Sequence, residues 1–274
     1  MGDVNVVDLV RARAEEMKET QTEVVQTKSD GIWIPIPHDE LPSRGIGYSE
    51  QLVGRPLGAT EVKKLSGMNS KNAPALTDAI LRSCVSGVPF EKIYLADKMY
   101  LLFWLRQNTY KRSDYQLTYE CTECESSTTS KFALSDLSIS QMPEDVDFNI
   151  NVGDKVFTVK YRTVADQDEV DKFMKKNQKN DFITFDEDWI ELASSIVAID
   201  GQVWPLLRKY QYLIDPVKFT ADDYSELNTG IDAIAFGVSP TVKVKCSKCG
   251  GYSESLIPFR PDYFLPKSNP RRNM

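Results

Sequence analysis

Two Cys-x-x-Cys pairs, Cys121/Cys124 and Cys246/Cys249, constrain this chain more than any other feature of its sequence. Two intervening residues let both sulfurs of a pair face one ion, and two such turns supply the four ligands of a closed tetrahedral site. Each pair is flanked by segments of period two: Gln116 to Glu120 and Thr128 to Leu134 around the first, Thr241 to Lys245 and Tyr252 to Ile257 around the second. Each is therefore predicted to be the tip of a β-hairpin. Gly250 and Gly251 suit a tight knuckle, and Lys245 and Lys248 place positive charge beside the second pair of thiolates. About 121 residues separate the inner cysteines, against roughly 15–20 in the compact pattern. Closing a loop about sevenfold longer costs on the order of 2 kcal/mol, whereas structural zinc contributes roughly 10–16 kcal/mol in small peptides. The intervening segment, Val146 to Val238, is thus expected to be a folded insertion clamped at its root by the metal. Metal-free dicysteine turns or a redox pair are the alternatives. Four thiolates close the coordination shell, which makes the metal structural and favours zinc over iron.

The chain has 274 residues, 41% of them hydrophobic, and a formal net charge of -7. That is enough for a core of ordinary size, and the acidic balance opposes an electrostatic grip on nucleic acid or an anionic membrane. No apolar run reaches the length of about 18 residues that a membrane span needs, and Met1 to Lys28 lacks the apolar core of a signal peptide. A reducing cytoplasm suits four paired thiols. The fifth cysteine, Cys84, lies among apolar residues in Leu76 to Val85 and reads as an inert buried thiol.

Periodicity predicts an α+β protein: a helical body, a four-cysteine zinc ribbon made of two hairpins, and a helix-rich insertion between them. Val6 to Met17 is an amphipathic helix that packs on its own chain or on a neighbour, and a polar linker follows. Ile32 to Pro37 is interrupted by two prolines and is expected to be extended or an edge strand. Leu41 to Tyr48 is a glycine-bearing turn, Leu52 to Leu57 a short strand, and Thr60 the start of a capped helix. Helices are expected at Ala75 to Val85 and at Tyr94 to Asn108, the latter apolar nearly all round and central. In the insertion, a hairpin over Val146 to Ile150 and Lys155 to Arg162 has Gly153 in its turn. Helices follow at Val164 to Lys176, Glu187 to Ile199, Val203 to Leu213 and Ala221 to Phe236. The expected divisions are residues 1–29, an arm and linker; 30–145, the body with the first half of the ribbon; 146–239, the insertion; and 240–274, the second half of the ribbon with an extended tail.

Catalytic constellations are missing from the pattern. The single histidine, His38, sits between Pro37 and Asp39, which removes most histidine-based acid–base and metal-hydrolase designs. Carboxylates such as Asp166, Asp168 and Asp186 to Asp188 fit a solvated face or helix caps as well as they fit a glycosidase pair. No phosphate-binding glycine loop or nucleophile elbow occurs. A zinc-ribbon module associated with nucleic acid is the alternative function, with Arg106, Lys111 and Arg112 as a small basic patch.

Several short motifs follow one another in a distinctive order: Glu40-Leu41-Pro42-Ser43-Arg44-Gly45-Ile46-Gly47-Tyr48, then Val53-Gly54-Arg55-Pro56-Leu57 with Thr60-Glu61, the helix end Tyr100 to Arg106, and the knuckles Tyr119 to Cys124 and Lys245 to Gly250. In that order they resemble the baseplate hub proteins of T-even-type contractile bacteriophage tails. The resemblance runs from Ile36 to Phe264. It implies a non-enzymatic virion or tail-assembly protein, assembled in the host cytoplasm within a large symmetric particle. Its partners would be other baseplate, tail-tube and tape-measure proteins, with neither membrane nor direct nucleic-acid contact. The first knuckle of that family reads Cys-Pro-x-Cys-Gly; Thr122 and Glu125 stand here in place of the proline and glycine.

Overall fold

The computed structural model describes residues 32–69, 72–110, 115–177, 185–239 and 241–257. The amphipathic arm, the polar linker and the tail from Pro258 onward lie outside the described residues.

Because Pro35 cannot donate to a ladder, its segment is confined to a sheet edge, where it forms β1 (Ile34–Pro35). It pairs antiparallel with β2 (Val53–Gly54), which is shorter than the expected Leu52 to Leu57 because Pro56 cannot continue the ladder. Helix α1 (Ala59–Ser66) follows. Its N-cap is Gly58, not Thr60: the Glu61 carboxylate accepts the Gly58 N–H at 2.8 Å and also the Arg55 guanidinium at 2.8 Å. Thr60 lies inside the first turn. Helix α2 (Ala73–Cys84) begins with Pro74 in its first turn, where a missing N–H costs nothing, and runs into β3 (Val85–Ser86), completing an antiparallel sheet of order β1-β2-β3. A Cβ on Gly54 would overlap the Trp104 ring, so this glycine lets the sheet approach the next helix closely.

That helix, α3 (Leu95–Thr109), is the centre of a first hydrophobic core, as its all-round apolarity predicts. Tyr100, Leu101, Leu102, Phe103, Trp104 and Leu105 are all buried. The Leu41 to Tyr48 turn is fastened to its first turn through Asp97, which is fully buried. Asp97 accepts the Ser43 N–H at 2.9 Å and the Tyr48 hydroxyl at 2.6 Å, and Tyr48 in turn accepts the Tyr94 N–H at 3.0 Å. Arg44, Gly45 and Gly47 make the turn with φ of 54°, 70° and 84°.

Next come the hairpin β4 (Tyr115–Glu120) and β5 (Ser127–Phe132), and the short β6 (Ile139–Ser140). The hairpin β7 (Asn149–Val152) and β8 (Lys155–Val159) turns at Gly153, φ 55°, as expected. Helices α4 (Val164–Asn177) and α5 (Glu187–Ser195) follow. The expected helix over Glu187 to Ile199 is corrected here: its last residues are β9 (Ile196–Ile199), paired with β10 (Gln202–Val203). The next helix therefore starts later than Val203, as α6 (Leu206–Leu213), and is followed by α7 (Ala221–Ile234). Thr220 caps α7, accepting the Asp223 N–H at 3.2 Å while Asp223 accepts the Thr220 N–H at 2.7 Å. The antiparallel sheet β10-β9-β8-β7 and these helices enclose a second core around Phe157, Val170, Ile190, Ile196 and Leu227.

The chain returns through β11 (Gly237–Val238), which pairs with β6, and ends its described part in the hairpin β12 (Thr241–Lys245) and β13 (Tyr252–Leu256). The two cores meet along a seam. Leu95 N–H bonds the Arg162 carbonyl at 3.0 Å and Val164 N–H bonds the Ile93 carbonyl at 2.9 Å. Rings of Tyr48, Tyr94, Phe148, Tyr161 and Phe236 pack beside these bonds at centroid distances of 4.8–6.2 Å.

Candidate metal centre

Both cysteine pairs sit at hairpin tips and share one backbone pattern. In the first, Cys121 N–H bonds the Ser126 carbonyl at 3.1 Å and Glu125 N–H bonds the Cys121 carbonyl at 2.9 Å. In the second, Cys246 N–H bonds the Gly251 carbonyl at 2.8 Å and Gly250 N–H bonds the Cys246 carbonyl at 3.0 Å. The fifth residue of each turn is left-handed, Glu125 at φ 55° and Gly250 at φ 78°. Glu125 thus adopts the conformation that a glycine takes in the second knuckle, and replacement of glycine leaves the turn geometry unchanged.

The two tips bring all four sulfurs within 4.8 Å of one another. Cys121 Sγ lies 3.7 Å from Cys249 Sγ, and Cys124 Sγ lies 3.8 Å from Cys246 Sγ. A disulfide requires about 2.05 Å, so these cysteines are free thiols. A tetrahedron with metal–sulfur bonds of about 2.3 Å has edges of about 3.8 Å. The donor set and its spacing therefore fit a metal ion, and the four cysteines could hold one. Cys121 and Cys246 are buried, Cys124 is half-buried and Cys249 is exposed.

The surroundings favour thiolates through amides. Backbone N–H groups of Cys124 and Glu123 hold the Cys121 thiol below its ordinary pKa. Those of Cys249 and Lys248 pull Cys246 down to about 6. At Cys249 the Gly251 N–H also favours the thiolate, but desolvation and the three neighbouring sulfurs prevail and push it up to about 12. Without a cation to neutralise them, four sulfurs this close cannot all carry charge. Lys245 Nζ lies 5.9 Å from the Tyr252 ring centroid.

Hydroxyls lace the two tips together. Thr122 N–H bonds Ser253 Oγ at 3.2 Å, Ser253 Oγ lies 3.7 Å from Cys121 Sγ, and Thr128 Oγ1 meets Ser247 Oγ at 2.7 Å. Ser126 Oγ lies 2.8 Å from Cys124 Sγ. Nothing in the spacing of the sequence pointed to these residues. The two hairpins nevertheless remain two separate two-stranded sheets.

The other candidate residues lie elsewhere. Cys84 is fully buried at the end of α2, and burial pushes its thiol pKa up. His38 belongs to a single 3-10 turn, His38–Glu40, where its ring packs over Gly45. Asp166 and Asp186 are indeed caps: Asp166 accepts the Thr163 N–H at 2.8 Å, and Asp186 accepts the Asp188 N–H at 3.0 Å. Of the basic patch, Arg106 is buried in α3, and Lys111 and Arg112 lie outside the described residues.

A family model described as T4 bacteriophage base plate protein matches residues 36–264. The chain belongs to this family. No curated protein and no solved structure matches it. Membership gives this base plate protein a structural role in a phage tail, among other baseplate proteins. Among its described residues, no helix is long and apolar enough to cross a membrane.

Proposed function

We propose that the chain is a zinc-stabilised, non-enzymatic structural subunit of the hub region of a contractile tail baseplate, holding neighbouring subunits during tail assembly. The family supports the baseplate role. The observation that carries the zinc reading is the spacing of Cys121, Cys124, Cys246 and Cys249, whose sulfurs are separated by tetrahedral edges and approached by amide donors. These cysteines would hold the metal, which supplies a rigid cross-link between segments far apart in sequence. Residues 30–145 would form the body with the first half of the ribbon, residues 146–239 an insertion, and residues 240–274 the second half of the ribbon with the tail; the separation of the two hydrophobic cores supports setting the insertion apart. Working partners would include tail-tube and tape-measure proteins.

Mass spectrometry of purified particles, with elemental analysis of the purified chain, tests both halves. The expected outcome is peptides of this chain at a fixed low ratio to the tube protein, and one zinc per chain. Absence from particles but presence in infected cells would move the role from tail component to assembly factor. A chain with no bound metal, or with iron, would end the zinc reading.

A further inference from the structure

The two cysteine turns share more than their backbone pattern. Thr122 and Ser247 each follow the first cysteine of a pair, and Thr128 and Ser253 each lie seven residues after it. These hydroxyls meet reciprocally. Thr122 Oγ1 lies 3.2 Å from Ser253 Oγ, and Ser247 Oγ lies 2.7 Å from Thr128 Oγ1, so each hairpin is clasped to the other in the same way. The sulfur pairs obey the same exchange, Cys121 with Cys249 at 3.7 Å and Cys246 with Cys124 at 3.8 Å. The four-cysteine centre therefore repeats its contacts in a local two-fold pattern.

Its halves differ in that hydroxyls reach both sulfurs of the first turn. In the first clasp Ser253 Oγ stands 3.7 Å from Cys121 Sγ, a sulfur carried by the other hairpin. Ser126 Oγ, at the position that Gly251 fills in the second turn, lies 2.8 Å from Cys124 Sγ and 3.9 Å from Cys246 Sγ. Amides approach the sulfurs of the second turn, Lys248 N–H to Cys246 Sγ and Gly251 N–H to Cys249 Sγ, each at 3.4 Å. Each of the four sulfurs thus faces a donor.

A hydroxyl oxygen offers one proton and two acceptor sites. Ser253 Oγ accepts the Thr122 N–H at 3.2 Å, and the Thr122 hydroxyl can fill the second acceptor site, which leaves the Ser253 proton for Cys121. A thiolate is the stronger acceptor for that proton, since hydrogen bonds to an ionised partner are roughly twice as strong as neutral ones. We propose that Ser253 and Ser126 are positioning residues of the metal centre, donating O–H bonds to Cys121 and Cys124 that keep these thiolates charged and oriented toward one divalent cation. This role rests on the metal reading of the four cysteines. Ser253 is 3% exposed, so its hydroxyl is shielded from competing water. Hydrogen-bond partners of metal ligands are commonly worth roughly 10–100-fold in metal affinity.

Cobalt(II) loading of the full chain under reducing conditions tests it, with zinc retention measured against a competing chelator and thermal unfolding of each variant as the check on folding. The wild-type chain should take up cobalt with a thiolate-to-metal charge-transfer absorption. Ser253→Ala and Ser126→Ala should each weaken zinc retention about tenfold or more and move the absorption to longer wavelength, because a sulfur without its donor gives up electron density more easily. Ser253→Thr, which copies Thr128 at the counterpart position, should restore both. Thr128→Val removes the hydroxyl of the counterpart clasp while keeping its shape, and should leave the absorption in place. If Ser253→Ala does not fold, Ser126→Ala carries the same comparison at Cys124. Wild-type retention and absorption in the alanine variants, or an equal change in Thr128→Val, overturns the proposal and leaves the metal site standing. A wild-type chain that takes up no cobalt overturns the metal reading and the proposal with it.

Discussion

Glu125 is held at φ 55° by the first knuckle, a conformation that costs any side chain with a Cβ and that Gly250 occupies freely in the second. Glu125→Gly should therefore stabilise the protein by about 0.5–1 kcal/mol, after allowing for glycine's greater freedom when unfolded, as measured by urea unfolding. Asp97 is the other residue whose setting has a direct consequence. Burial raises its pKa, against the opposing hydrogen bonds from Ser43 and Tyr48 and the charge of His38. Between its unfolded value of about 4 and its higher folded value, the native state binds the more protons, so this contribution to stability falls as pH rises. Asp97→Asn removes that dependence; comparing urea midpoints at about pH 5 and about pH 7 should show the variant shifted in favour of the higher pH. The clustering of the four cysteines was legible because two Cys-x-x-Cys pairs carry a spacing of their own. Thr122, Ser126 and Ser253 were not, since a hydroxyl that braces a knuckle leaves no local pattern.

Among the elements, long periodic segments such as α3 and the two cysteine hairpins were legible to within a residue or two. The stretch after Ala193 was not, because Ile196-Val197-Ala198-Ile199 continues an apolar run that a helix accommodates equally well. The signal that separates the two was present: Asp200-Gly201 follows four residues of largely strand-forming character, and both adopt positive φ, 50° and 71°, as a tight hairpin turn requires. Two left-handed glycines now predict different tolerances. Gly201 has nothing within 4 Å of an added Cβ, so Gly201→Ala should cost only backbone strain, about 1 kcal/mol. At Gly87, φ 103°, an added Cβ would also collide with the Gln51 carbonyl, a backbone atom that cannot swing away. Gly87→Ala should cost about 3 kcal/mol or more, and thermal unfolding of the pair would rank them.

Across the whole molecule, residues 146–239 are closed off twice. The cysteine cluster joins the hairpins that flank them, and just inside it the β6–β11 ladder, the Leu95 hydrogen bond to Arg162 and the aromatic seam tie the same stretch to the first core. Sequence spacing suggested the first closure only, because a ladder of two residues per strand has no signature of its own. Hydrogen exchange should separate them. If the cluster holds zinc, chelation is expected to expose amides of β4, β5, β12 and β13, while those of β8 and β9 in the second core keep their protection. Loss of protection in both regions together would mean that the cysteine cluster alone holds the stretch in place. The distance between the two knuckles along the chain also has a consequence in time. At a synthesis rate of roughly 5–20 residues per second, Cys246 leaves the ribosome roughly 6–24 s after Cys124. Strand β11 emerges only shortly before it, so the whole second core can form on the nascent chain while the first knuckle offers only two of the four sulfurs. The second cysteine hairpin is then the one that completes the cluster, and its arrival can seal a second core that has had time to form.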